Sequence, residues 1–264
     1  MIRNRLIKRT SQFMRLLGFD PKMFVLFFAG LPFYIRDYIK LTRQLKKNQD
    51  FRIQTFFPVL HERFLESGTI DLIYFHQDLF LARRVLENNP LRHIDIGSRI
   101  DGFVAHVAVF REIEVYDIRV QTIVAKNIVF KQADLMNLPE GLIGTLESVS
   151  SLHTIEHFGL GRYSDEIDVN GHLKGIDNIH KMLRPGGRFY FSVPIGPQRI
   201  EFNAHRVFSV SYLLKVFVDR FKVDRFNYIN DEGIIFEDIE LEADSVNGNY
   251  NCHYGCGIFE LVKL

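Results

Sequence analysis

Apolar positions change their period several times along this 264-residue chain, and the changes mark its elements. Residues 69–88 carry Leu72, Phe75, Leu79, Leu81, Val85 and Leu86 at helical spacing. Short apolar-rich runs bounded by Gly, Asp and Pro follow at 93–96, 112–117, 127–132, 147–152 and 188–193, which predicts five strands. Between the last two, residues 172–183 set Leu173, Ile176, Ile179 and Met182 on one helical face, and Pro185-Gly186-Gly187 turns that helix into the fifth strand. A helix over 211–219, a strand over 221–228 and a last strand over 257–263 complete the pattern. Strands alternating with helices predict an α/β domain built on a mainly parallel sheet. Upstream, residues 23–35 form an apolar run that is shorter than the ~20 residues a membrane-spanning helix needs and that Gly30 and Pro32 interrupt. The chain therefore divides into an N-terminal extension over 1–68 and an α/β domain over 69–264.

The first strand leads into the chemistry. His93-Ile94-Asp95-Ile96 runs into Gly97-Ser98, and a helical pattern over 102–110 follows. Strand, tight turn and helix form the opening unit of a nucleotide-binding sheet, because helix N-terminal N–H groups point out of the turn and Gly lets a ligand approach the backbone. The next strand ends at Asp117, about 20 residues after the turn, the spacing at which a carboxylate can accept both hydroxyls of a ribose.

Five motifs in order extend this pattern: Asp95-Ile96-Gly97-Ser98; Val115-Tyr116-Asp117; Gln132-Ala133-Asp134-Leu135; Ser151-Leu152-His153-Thr154-Ile155-Glu156-His157; and Leu183-Arg184-Pro185-Gly186-Gly187. With them the chain, from about Tyr74 to its C-terminus, resembles a class I S-adenosylmethionine-dependent methyltransferase. More narrowly, it resembles an uncharacterised bacterial domain-of-unknown-function branch associated with surface-polysaccharide loci. The resemblance implies a Rossmann-like, doubly wound seven-stranded sheet with the last strand antiparallel, preceded by an N-terminal helical extension. It also implies S-adenosylmethionine as cofactor, held by Asp95, Gly97, Ser98, Arg99, Asp117, Asp134, Leu135 and His153. In that scheme Asp95 accepts turn N–H groups and faces the cofactor amine, and Asp134 accepts from the adenine amino group. A helix before the first strand brings Tyr74, His76 and Gln77 to the cofactor edge, beside the plainer reading that they cap and solvate that helix. Arg99 and Asp101 stand where the superfamily usually has its second and third glycines. Either Arg99 swings aside or pairs with the cofactor carboxylate through its fork of donors, or the pocket is altered and the chain no longer binds the cofactor.

His157, at the carboxyl end of the fourth strand, is a candidate general base, since an imidazole removes a hydroxyl proton near neutral pH. Glu156 reads as a brace for the loop. His153-Thr154-Ile155-Glu156-His157 formally matches an inverted zinc-peptidase motif, but it straddles a strand end, whereas the zinc version needs both histidines on one helical turn. Asn203, His205 and Arg206 follow the fifth strand in a polar stretch and are assigned to substrate, with His205 as the second candidate base. Asp165 lies in a long polar loop over 158–171 that reads as a lid or substrate platform; it too is assigned to substrate, and no metal is expected.

Composition adjusts this reading in three places. Net charge is only +1, which gives no case for nucleic acid, but residues 1–52 hold twelve Lys/Arg against three Asp. That segment carries +9 and the remainder −8, an asymmetry that suits a basic arm meeting an anionic surface. The arm reads either as a peripheral contact with the inner membrane face, apolar side in the headgroups, or as a surface for the rest of the protein or for a second subunit. Two cysteines, Cys252 and Cys256, make no disulfide framework and fit a reducing cytoplasm. The expected activity is O-methylation of a sugar or glycan precursor in surface-polysaccharide synthesis. The competing expectation is a non-catalytic module in a glycan-assembly complex, and an NAD-linked enzyme is disfavoured because G-x-G-x-x-G is missing.

Overall fold

A computed structural model describes residues 13–46, 51–68, 70–137 and 141–264. The chain forms two compact units, residues 1–70 and 71–264.

In the first unit, α1 spans Pro21–Leu45, with Pro at its first turn and the Asp20 carboxylate accepting from the N–H groups of Lys22 and Met23. The helix runs through both Gly30 and Pro32 and ten residues past the apolar run, so neither residue ends it. Gly30 is its one buried position, because the chain returns there: a Cβ on Gly30 would stand 2.1 Å from the Leu60 carbonyl oxygen. Arg63 closes the return by pairing with Asp37 at 3.1 Å and lying over the Phe33 ring. No helix among the described residues is long and apolar enough to cross a membrane. The basic stretch over 1–12 lies outside the described residues.

The second unit begins with α2, Leu72–Asn88, capped by the Asp71 carboxylate and ended by Asn89 in the left-handed region. The strands are β1 His93–Ile96, β2 Ile113–Asp117, β3 Ile128–Gln132, β4 Leu146–Leu152, β5 Leu183–Ile195, β6 Arg199–Glu201, β7 His205–Val207, β8 Phe221–Ile229, β9 Ile235–Phe236 and β10 Gly255–Lys263. Between them lie the short helices α3 Ala105–Ala108, α4 Gly171–Met182, α5 Val210–Phe217 and α6 Ala243–Asn247. The main sheet runs β3-β2-β1-β4-β5-β10-β8-β9, with β6 and β7 as a separate hairpin. Pairing from β3 to β5 is parallel, and β10 enters antiparallel between β5 and β8. This is the Rossmann-like sheet of the methyltransferase type, with eight strands among the described residues where seven were expected. The eighth arises because Asn230 accepts from the N–H groups of Glu232 and Ile234 and folds β9 back onto β8, where Tyr228 and Phe236 stack at 4.7 Å.

Alternation along β5 separates two cores. Phe189, Phe191 and Val193 join the cluster under α4 and α5, while Tyr190 joins the one under α2 and α3. The helix expected over 102–110 shrinks to α3 preceded by a widened turn over Ile100–Val104. Gly102 leaves helical geometry there, pressed so close to Asp78 that a Cβ would stand 2.1 Å from its Oδ2. No helix joins β2 to β3; residues 118–127 cross as an irregular loop. Strand order reverses between β1 and β4, so their carboxyl ends open the crevice in which ligands of such sheets bind.

Candidate functional site

The turn after β1 is pinned from beneath. Asp95 is fully buried; its Oδ2 accepts from the Ser98 N–H (2.9 Å), and its Oδ1 from the hydroxyls of Ser98 (2.6 Å) and Ser150 (2.5 Å). Burial pushes its pKa up to about 6 against those three donors. Ser148 and Ser150 in turn hold the two ring nitrogens of buried His93, at 2.7 and 3.1 Å, and burial drives that imidazole's pKa down to about 3. Gly97 sits at φ +67°, and a Cβ there would lie 2.4 Å from Cγ2 of Thr154, so the position needs glycine. Asp95 thus accepts a turn N–H group as expected, but it lies under the turn and lines neither cavity described next, where it was also expected to face a cofactor amine.

Two connected spaces open at the carboxyl ends of the strands. A recess of about 50 Å³ is lined by Gly97, Asp117, Asp134, Leu135, His157 and Asp165, among others. A groove of about 1070 Å³ adds Tyr74, Ser98, Arg99, Gln121, Glu156, His205 and Tyr254, and shares Gly97, Asp117, Arg119, His153, His157 and Tyr163 with the recess. Asp117 is braced by Arg119, whose Nε (3.1 Å) and terminal nitrogen (2.8 Å) pair with its carboxylate and whose guanidinium lies 4.3 Å from the Tyr163 ring centre. Asp134 accepts from the Met136 N–H (2.9 Å) and the Asn137 amide (2.8 Å). Arg99 does not fill the space left by the absent glycines. It swings aside onto the Asp101 carboxylate at 2.9 Å and over the Tyr74 ring at 4.9 Å.

The opposite wall carries imidazoles. His153 adopts φ +51° past the end of β4, and its Nδ1 meets Glu156 Oε1 at 3.0 Å. Burial works against a charged His153 ring, but the Cys256 sulfur and the Glu156 carboxylate outweigh it and hold its pKa well above the ordinary value. Burial likewise pushes Glu156 up, and the hydrogen bond and charge of His153 turn the balance, leaving it below the ordinary carboxylate value. Glu156 and His153 thus form a buried ion pair. His157 donates from Nδ1 to the Ala204 carbonyl at 2.6 Å, which leaves the lone pair on Nε2. Burial lowers its pKa, so the ring is neutral at pH 7. Its Nε2 lies 3.9 Å from Glu156 Oε1, and the His205 ring centre is 6.3 Å from its own. Among the described residues, no group of three or more His, Cys, Asp or Glu is arranged to hold a metal.

Of three residues expected to bind substrate, two do other work and one stands apart from the cavities. Arg206 is buried, and its guanidinium donates to the carbonyls of Glu156, Phe158, Asp168 and Val169, so it ties down the loop over 158–171. Asp165 accepts from the N–H groups of Gly159, Gly161 and Tyr163, which uses both carboxylate oxygens inside that loop. Asn203 is exposed at the turn between β6 and β7 and lines neither cavity. Arg119, Gln121, Tyr163 and Tyr254 escaped sequence reasoning; only the polarity of Arg119, two residues past the strand-end acid, was a usable signal. Gln121 is distinctive: its amide oxygen and nitrogen are both buried without a hydrogen bond. Glu156 Oε2 and His205 Nε2 share that condition, each at a cost on the order of 1–3 kcal/mol unless a partner arrives.

Residues 110–248 match the family described as "Caenorhabditis protein of unknown function, DUF268". No curated protein matches the sequence. Among solved structures, the [4+2]-cyclase SpnF superposes with a TM-score of 0.50 at 11% identity, over 74% of this chain and 85% of that one. A 1,6-didemethyltoxoflavin-N1-methyltransferase from Burkholderia thailandensis gives 0.49 at 14%, over 70% and 78%. The N-methyltransferase NodS from Bradyrhizobium japonicum WM9, in complex with S-adenosyl-L-homocysteine, gives 0.46 at 13%, over 71% and 86%. At such identities the likeness is one of fold.

Proposed function

The chain belongs to the family described as "Caenorhabditis protein of unknown function, DUF268", and we propose, from the geometry of its site, that it is an S-adenosylmethionine-dependent methyltransferase whose acceptor is a hydroxyl of a sugar or glycan precursor. The observation that carries this reading is one recess: Asp117 and Asp134, from the tips of adjacent strands, line it together with the positive-φ Gly97 and with His157. That donor set suits an adenosine. Asp134 is an acceptor for an exocyclic amine, Leu135 offers an apolar face, and Asp117 is an acceptor for a ribose diol that competes with Arg119. Gly97 and Ser98 leave the backbone open to the amino-acid end of the cofactor. When bound, the cofactor supplies an electrophilic methyl group. His157 takes the acceptor's proton on Nε2 while Ala204 holds Nδ1–H, and His205 lines the same groove as the alternative base. His153 and Tyr74, with ring centres 5.0 Å apart, border the groove beside the turn.

A second reading, a module that has lost turnover, is favoured by one feature: Arg119 already occupies both carboxylate oxygens of Asp117, beside a recess of about 50 Å³. Calorimetric titration with S-adenosylhomocysteine tests the main reading. Binding in the micromolar range supports it, and no heat at millimolar ligand ends it. Binding without radiolabelled methyl transfer to extracted glycan precursors selects the module.

For the N-terminal unit we propose peripheral attachment to anionic membrane on the cytoplasmic side. Exposed Phe24, Phe27 and Phe28 on α1 and the basic residues Arg36, Lys40 and Arg43 supply the apolar and cationic parts that such attachment needs. Deleting residues 1–52 should then release the protein from anionic vesicles; retained binding would end the proposal.

A further inference from the structure

We propose that Glu156, Gln121 and His205 form a hydroxyl-reading subsite in the groove, in which Glu156 takes the hydroxyl next to the one that His157 deprotonates. This rests on the methyltransferase reading above and goes further, to the acceptor's shape: a neutral ring bearing adjacent hydroxyls.

The atoms left open define that ligand. Glu156 is 1% exposed, with Oε1 committed to His153 and Oε2 without a partner. Gln121 has both an open donor and an open acceptor. His205 Nε2 lies 3.5 Å from Glu201 Oε2 but makes no hydrogen bond, while its ring is seated 5.2 Å from that of Tyr254. All three side chains line the same groove. A hydroxyl both donates and accepts, so a polyhydroxylated ring can satisfy each of them, whereas an apolar acceptor would leave them all open. A carboxylate or phosphate beside Oε2 would meet like charge.

Glu156 and His157 are neighbours on the groove wall, with Glu156 Oε1 3.9 Å from His157 Nε2, so two neighbouring ring hydroxyls can donate one to the open Glu156 Oε2 and one to Nε2. The hydroxyl facing the neutral Nε2 is the one that loses its proton; its neighbour, held by the carboxylate, sets the orientation of the ring. Glu156 is accordingly a substrate-reading residue as well as the partner of His153.

The test is saturation-transfer NMR on the full chain, with and without S-adenosylhomocysteine, using methyl α-D-mannopyranoside, which has adjacent hydroxyls, and its 3-deoxy counterpart, in which no two ring hydroxyls are adjacent. Wild-type protein should bind the diol glycoside better than the deoxy one. Glu156→Gln should weaken the diol glycoside roughly tenfold, the scale of one charge-assisted hydrogen bond, and leave the deoxy glycoside and S-adenosylhomocysteine unchanged. Gln121→Leu, which does not touch the His153 ion pair, should weaken the diol glycoside several-fold and serves if Glu156→Gln disturbs folding. Equal loss for the two glycosides, or no glycoside binding by protein that takes S-adenosylhomocysteine, overturns the subsite. Glycoside discrimination without S-adenosylhomocysteine binding would support the subsite and remove the cofactor reading beneath it.

Discussion

Two sets of buried polar side chains flank the β1 turn and differ in how they are satisfied. Under the β1 turn, His93, Asp95, Ser98 and Ser150 exchange hydrogen bonds until each side chain is partnered. Across the groove, Gln121, Glu156 and His205 are also withdrawn from water, yet each keeps at least one atom without a partner. The first set has used its polarity to fix the backbone. The second holds it in reserve, which is what a surface awaiting a polar ligand requires, because buried open valences cost stability until something fills them. Asp95 and Glu156, both buried carboxylates flanking that turn, thus serve opposite ends.

The comparison can be broken in several places. The largest effect should come from the groove. His157→Gln removes the proposed base and should lower methyl transfer by about 10²–10⁴, read as radiolabel incorporation into extracted glycan precursors. Because burial holds the His157 pKa below its ordinary value, wild-type activity should be flat above pH 7 and fall only at pH below about 6.5, as the ring protonates. An acid limb above pH 7 would remove His157 as the base.

Next comes acid stability of the turn. His93 has a folded pKa of about 3, so between about 6.5 and 3 the unfolded chain binds a proton that the folded chain refuses. Its contribution is therefore present above 6.5 and lost on acidification, by up to about 1.4 kcal/mol per pH unit. Asp95, with a folded pKa raised to about 6, acts in the opposite sense: its contribution is present at low pH and lost as pH rises through 6. The His93 shift is the wider, so urea unfolding at pH 7 and 4.5 should show net acid destabilisation, and His93→Gln should flatten or reverse it.

Ser150→Ala deprives Asp95 of one donor and His93 of one partner and should cost about 1–3 kcal/mol in the same assay. Gln121→Leu should cost nothing, or stabilise by up to about 1 kcal/mol, since it removes an amide that has no partner. Equal losses at Ser150 and Gln121 would dissolve the contrast between the two sets.

Some of this was legible before any fold was in view. Short apolar runs bounded by Gly, Asp and Pro located the strands and helical stripes the helices, and the places of Asp117 and Asp134 were legible because strand ends with acids need only local pattern and spacing. His157 was legible because a strand-end histidine is a short-range feature. Arg206 and Asp165 were misread because polarity in a loop does not tell which atoms the loop's own backbone will claim; here four carbonyls and three N–H groups claimed them. Gln121 had no local signal at all, since its meaning lies in partners that it lacks. Pro32 was read as a break, but a helix can lose one N–H and continue.

What the amino-acid order determined by itself is therefore the alternation of strands and helices, the position of the Gly97 turn, and the acids that end β2 and follow β3. Those are properties of neighbours along the chain. What only the tertiary structure decided is which polar atoms remain free: whether Asp95 faces a ligand or a serine, whether Arg99 fills the pocket or leaves it, and which oxygen of Glu156 is spare. Hydrogen-bond satisfaction is a sum over partners brought together from distant parts of the chain, so it exists only once β1, β4 and the hairpin of β6 and β7 have met at one edge.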